Sequence, residues 1–134
     1  MRDFWQFPSV KDVSIDDRFW TPYLESMRTV MLPYVLDKFE EDGYLENYDR
    51  VAQGETGGHR GPHFSDGLLL ETLRGACDFL AARPDAALKA RVDGIVKRVR
   101  AASLATDGFL STWTLLEAPE KRWGENGGDI VIQH

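Results

Sequence analysis

Apolar residues return along this chain mostly at helical spacing. Tyr23, Met27, Val30, Met31, Tyr34, Val35 and Phe39 recur every three or four positions, which predicts an amphipathic helix. Thr21 and Pro22 supply an N-cap and a first-turn proline. Pro33 predicts a kink or a split, and Asp42-Gly43 a stop. Ser65 is placed to cap a second helix, with Asp66 near its positive end. Leu69, Leu73, Ala76 and Leu80 form its buried stripe, and Pro84 closes it. Asp85 begins a third helix, with Leu88, Val92, Ile95 and Val99 inward and Lys89, Arg91, Lys97 and Arg98 outward, ending at Asp107-Gly108. Joined by Arg83-Pro84, the second and third helices are expected to run antiparallel.

Elsewhere the pattern changes. Val13 and Ile15 alternate with polar neighbours, which predicts a short strand. Residues 50–64 hold four glycines and a proline and read as a loop; a loop of this length within a compact domain is often functional. From Phe109 to Leu116 the residues are aromatic, apolar or hydroxylated, and an extended segment is expected. Glu120 to Gly128 reads as a polar turn. There is no repeat at a fixed period and no low-complexity tract.

Composition narrows the function classes. The 134 residues suit one domain or part of one, and 43% hydrophobic with 28% charged residues indicates a folded chain. Sixteen basic against 22 acidic residues give a net charge of -6. The cluster Lys97, Arg98 and Arg100 reads as a solvated helix face, so neither nucleic acid nor a membrane is an expected partner. The longest apolar runs, such as Leu68 to Leu70, are too short to span a bilayer. Met1 to Val10 lacks the features of a signal peptide. With a single cysteine, Cys77, this points to a cytoplasmic setting. Cys77, beside Ala76 on the expected inner face of the second helix, reads as packing and not as a nucleophile.

Candidate chemistry is sparse. His59 and His63 stand four apart, but among glycines and a proline they lack the helical geometry that would aim both at one metal; with Asp66 they read as a solvated loop, and no metal site is expected. Gly54 to Gly61 lacks the Gly-Lys-Ser/Thr ending of a phosphate loop. Two carboxylates flanking a bond could perform glycosidic acid–base work. Glu55, Asp66, Glu71, Asp107, Glu117, Glu125 and Asp129 are candidates, without a sign of which converge. Trp20, Trp113 and Trp123 offer flat faces either to a sugar ring or to the core. No catalytic residue is assigned on these grounds.

The order of motifs carries more. Val13-Ser-Ile-Asp-Asp-Arg-Phe-Trp-Thr-Pro22, Glu46-Asn-Tyr48, Phe64-Ser-Asp-Gly67 opening a helix, Pro84-Asp85 with Leu88 and Val92-Asp93, Asp107-Gly-Phe-Leu110, Lys121-Arg-Trp123 and finally His134 follow one another along nearly the whole chain. This series resembles the start of the β-L-arabinofuranosidase-like glycoside hydrolases, families 127 and 146. It departs from them at Leu104, where a glutamine is usual, at Phe109, where a tyrosine is usual, and at Glu71 and Arg74, which look like an exchanged lysine–glutamate pair at i, i+3.

The resemblance implies a mainly α fold: the amino-terminal part of an (α/α)6 barrel preceded by a short β-strand segment. Residues 1–20 would be the extended segment and 21–134 the first barrel helices, incomplete at the carboxyl end. It implies retaining glycosidase chemistry on L-arabinofuranosides or related sugars, using a cysteine nucleophile held near zinc by further cysteines and a glutamate. Those residues are expected downstream, so this chain is expected to hold no cofactor itself. His134 matches the histidine that opens the family's His-Glu-Leu-Tyr-like motif. The Gly54–Phe64 loop and His134 are expected to reach the sugar, making His134, His63 and Asp66 the expected substrate-binding residues. The expected partners are a carbohydrate and, through unpaired helix faces, further copies of the chain. The competing expectation is a catalytically silent helical carbohydrate-binding or scaffold module.

Overall fold

The computed structural model describes residues 8–122, and within them the chain is mainly helical with no strand. A single 3-10 turn at Val10–Asp12 leads into an irregular stretch. The strand expected around Val13 and Ile15 is not formed: both side chains are exposed and no partner strand lies beside them. Alternation alone cannot make a strand without an edge to pair with.

The first long helical run is continuous from Trp20 to Glu41. It comprises α1 (Trp20–Ser26), a π-helical turn (Met27–Met31) and α2 (Leu32–Glu41). Its start is set by Asp17, whose Oδ1 accepts from the Phe19 and Trp20 amides, while Thr21 bonds back to the Asp17 amide and the Ile15 carbonyl. Thr21 is therefore inside the helix and not its cap. Pro33 does not break the run. The proline, which has no N–H to give, directly follows the wide turn, where the Leu32 amide reaches back five residues to the Met27 carbonyl. Gly43, at φ +81°, ends α2 as expected and opens α3 (Tyr44–Ala52) directly. The first residues of the presumed loop, Arg50 to Ala52, are thus the last turn of a helix.

Two longer helices follow: α4 (Ser65–Ala82) and α5 (Ala86–Ala105), linked across Pro84 and packed on each other. Asp85 caps α5 by accepting from the Leu88 amide at 3.0 Å, as expected. Ser65, in contrast, makes no cap and is buried at the start of α4. The segment expected to be extended, Phe109 to Leu116, instead contains α6 (Thr112–Glu117). Ser111 caps it through the Thr114 amide and hydroxyl, and this local bond outweighs the β-preference of the threonines.

The core lies where α3 packs against α5, α6 and α2. Leu36, Leu45, Tyr48, Leu69, Ala76, Ala102 and Leu116 are almost completely enclosed there, with Leu73, Leu88, Val92 and Ile95 around them. The stripes anticipated for the two long helices are the observed ones, except that Leu80 and Val99 sit at the rim. Cys77 departs from expectation: Ala76 is buried and Cys77 is exposed. One residue is about 100° around a helix, enough to leave the inner face. Arg98 is likewise not simply solvated. It grips Asp49 through Nε at 2.9 Å and Nη2 at 2.5 Å and also meets Glu40 at 2.6 Å, joining α5 to α3 and α2. Arg91 adds a bond to Asp37 at 2.6 Å.

Candidate functional site

The glycine-rich loop, residues 53–64, runs from the end of α3 to the start of α4 and is pinned along its length. Asn47, fully buried on α3, pairs with Arg60 as one strand would with another: its Nδ2 donates to the Arg60 carbonyl at 2.8 Å and its Oδ1 accepts the Arg60 amide at 3.0 Å. The Gly57 amide donates to the Leu116 carbonyl at 2.5 Å, and the His59 amide to Glu117 Oε1 at 2.6 Å. Arg50 holds the Gly58 carbonyl and Glu55. A mobile loop is therefore not what the chain builds. Gly61, at φ +83°, lies so close to Tyr44 that a Cβ would overlap its ring.

Beneath the loop is a buried polar cluster. Asp66, in the first turn of α4, is 3% exposed. Its Oδ2 accepts the Thr112 amide at 2.7 Å, its Oδ1 accepts the Thr112 hydroxyl at 2.9 Å, and the Tyr48 hydroxyl is bonded to it as well. Asp66 thus spends its negative charge on the start of α6 as well as on the start of its own helix. Burial, reinforced by the Asp66 charge, pushes the Tyr48 phenol far above its ordinary value, so Tyr48 remains a neutral donor.

His59 sits between loop and cluster. Its Nε2 is 3.1 Å from the Thr112 hydroxyl and 3.5 Å from the Ser65 hydroxyl, and the Gly61 backbone bonds its ring too. Burial holds its imidazole below the usual histidine value, although Asp66 and Glu117 pull the other way. His63 occupies the outer end of the loop. Its ring meets Phe64 edge-on at 5.1 Å and Trp113 at 6.3 Å between centroids.

Of the expected substrate-binding residues, the structure thus brings His63 and Asp66 to the same end of α4, with His63 half-buried and Asp66 enclosed. His134 lies outside the described residues, as do Trp123, Glu125, Asp129 and the rest of the expected turn from Trp123 to Gly128. Trp20 is half-exposed against Phe19 and Tyr23, far along the chain from this cluster. The remaining candidate carboxylates are mostly held by arginines: Glu55 by Arg50, Glu71 by Arg74 and Asp107 by Arg122. Glu117 instead faces His59. Asp66 and Glu117 both act on the His59 ring, with Asp66 buried and Glu117 exposed.

Asn47, Tyr48, His59 and Thr112 went unassigned from sequence, although two of them stand in the Glu46-Asn-Tyr48 motif. A polar Asn-Tyr pair within an otherwise amphipathic turn was the available signal. The described residues do not fit zinc. Among the described residues no three histidine, cysteine or acidic side chains are arranged to hold a metal ion, and the chain has one thiol.

A family model described as the β-L-arabinofuranosidase GH127 catalytic domain matches residues 12–133. No curated protein and no solved structure matches the chain.

Proposed function

The chain belongs to the GH127 β-L-arabinofuranosidase catalytic-domain family, and from that membership we propose that it is the amino-terminal part of a glycoside hydrolase acting on L-arabinofuranosides or related sugars. The match over residues 12–133 carries this reading. In it, the helices are the first of an (α/α)6 barrel. Large apolar side chains left on outer faces, among them Phe19 at 70%, Tyr34 at 61% and Leu104 at 74% exposure, support it, since helices awaiting further neighbours leave such faces uncovered.

The sugar lies beside the glycine-rich loop. His63 shares with Trp113 an aromatic setting suited to a sugar face. His134 supplies a hydrogen-bond donor and acceptor. Asp66 acts from beneath, holding Thr112 and Tyr48 so that the surface above keeps its shape. In this reading the cysteine nucleophile and the zinc ligands that the family resemblance implies lie in a further part of the protein.

Two experiments test the proposal. In the full-length protein, His134→Ala should lower kcat/KM by about threefold to tenfold, the worth of one neutral hydrogen bond, with an unchanged melting temperature. Full activity, or loss only through unfolding, would remove His134 from the site. This chain by itself, given a chromogenic arabinofuranoside and zinc, should show no turnover. Turnover abolished by Cys77→Ser would overturn the assignment and make Cys77 catalytic. A full-length protein that binds arabinosides yet hydrolyses none would favour the silent carbohydrate-binding module.

A further inference from the structure

We infer that His59 is the positioning residue of the glycine-rich loop: its imidazole ties the loop to Ser65 and Thr112 at the starts of α4 and α6, and so sets where His63 stands beside Trp113. The inference rests on the proposed sugar site only for its consequence, because the clasp itself is a property of the loop.

The geometry has three parts. First, the ring bridges three elements: Gly61 belongs to the loop, Ser65 to α4 and Thr112 to α6. Second, the same residue is fastened through its backbone, since the His59 amide donates to Glu117 at the far end of α6. Side chain and main chain of one residue therefore grip both ends of one short helix. Third, Thr112 hands the contact on to Asp66, which also holds Tyr48 on α3. A perturbation at the half-buried ring thus reaches three helices through three successive hydrogen bonds.

His63 is four residues further on, and only Pro62 separates it from Gly61, whose φ of +83° and contact with Tyr44 leave little freedom. Trp113 directly follows Thr112. The two rings proposed to meet a sugar are consequently each carried by a segment that His59 holds. A polyhydroxylated ring is discriminated by small differences in the placement of donors and faces, so the loop anchor becomes a determinant of which sugar is accepted.

Amide hydrogen exchange on this chain, followed by NMR at constant pH, separates a hydrogen-bonding clasp from a mere space-filler. The amides of Gly57, His59 and Arg60 have acceptors well removed in the chain: Leu116, Glu117 and Asn47. In His59→Phe, which keeps a ring but loses its nitrogens, exchange at positions 57, 59 and 60 should rise about tenfold. The amides of Val92 and Ile95 in α5 should be unmoved, and the His63 and Trp113 ring resonances should shift. His59→Gln, which restores a donor and an acceptor near Nε2, should recover much of the protection. Equal protection in wild type and His59→Phe would overturn the inference. So would a His59→Gln variant no better protected than His59→Phe. These outcomes are read without any sugar, and failure of the hydrolase assignment leaves them untouched. If the Phe variant does not fold, His59→Leu against His59→Gln makes the same comparison.

Discussion

Asp66 and Thr112 lie 46 positions apart in the chain, yet one carboxylate receives both the amide and the hydroxyl of that threonine, at 2.7 and 2.9 Å. The pair joins the first turn of α4 to the first turn of α6. It also explains why Phe109 to Leu116 is helical. With Ser111 as cap and a carboxylate on its first-turn amide, α6 has two orphan donors satisfied at its start.

Asp66→Ala should destabilise the chain by about 3 kcal/mol or more, because three buried donors lose their common acceptor. Asp66→Asn, which keeps one oxygen, should cost less. Tyr48→Phe should cost about 1 kcal/mol in the wild type and clearly less in the Asp66→Asn background. Urea denaturation of the four proteins measures this; strict additivity would mean that Tyr48 and Asp66 do not cooperate.

Asn47→Ala should remove both bonds to Arg60 and leave the part-buried backbone of that residue without these partners, a loss of about 1–2 kcal/mol. Asn47→Asp keeps an acceptor for the Arg60 amide but sets a charge against the Arg60 carbonyl, and should not rescue. Thermal melts and protease susceptibility of the loop report the effect; unchanged cleavage at residues 53–64 would show that Asn47 does not anchor it.

Gly61→Ala and Gly108→Ala form a controlled pair. Both glycines have positive φ, +83° and +95°, so both substitutions carry the strain of an unfavourable backbone, about 1 kcal/mol. Only at Gly61 would the new methyl also overlap the Tyr44 ring; around Gly108 there is open space. Gly61→Ala should therefore be the more damaging by 1 kcal/mol or more, roughly the cost of an overpacked contact. Equal melting temperatures would show that Tyr44 moves freely.

Acid should weaken the fold through His59. The groups facing its ring are Asp66 and Ser65 from α4, Glu117 and Thr112 from α6, and Gly61 and His63 from its own loop. Burial sets its folded value below the unfolded one. Above the ordinary histidine value the ring is neutral in both states and the full contribution is present. As pH falls, the unfolded chain takes up the proton first, and stability is lost until the folded value is passed. The urea midpoint should drop between pH 7.5 and 5, and His59→Gln should flatten that drop. A wild-type midpoint that rises toward pH 5 would contradict the sign.

Self-association is expected of this chain in isolation. Phe19, Trp20, Tyr23, Val30, Met31 and Tyr34 expose apolar surface along one helical run. Sedimentation should show oligomers that diminish with concentration and with Trp20→Ser or Tyr34→Ser. A strict monomer with a sharp melt would mean that these faces are tolerated in water.

The helices were legible because their signals are local. Leu69, Leu73 and Ala76 recur at helical spacing, and Asp85 is a cap wherever it meets a free first turn. What stayed hidden was non-local. Nothing near Thr112 in sequence announces that Asp66 will reach it, so its threonine-rich neighbourhood read as extended. Ser65 looked like a cap because serine usually is one, whereas here it faces His59. At the candidate site the loop was visible from its glycines, but its rigidity comes from Asn47 and Glu117, whose distant partners Arg60 and His59 no local pattern announces. Cys77 was misplaced by one position on a helix whose inner stripe is narrow.

The wide turn at Met27–Met31 also acts as an angular offset. A π turn is an α turn with one extra residue, so everything before it is rotated by about 100° relative to everything after it. The Phe19, Trp20 and Tyr23 side of the run is thereby aimed independently of the Leu32, Leu36 and Phe39 side, which is buried in the core. Removing a single residue from this turn would leave composition and hydrophobic content almost untouched while swinging the aromatic face to another compass point. Among related sequences, a one-residue gap at this place would therefore mark a change in what the outer face meets, and would matter more than many substitutions elsewhere along the same helix.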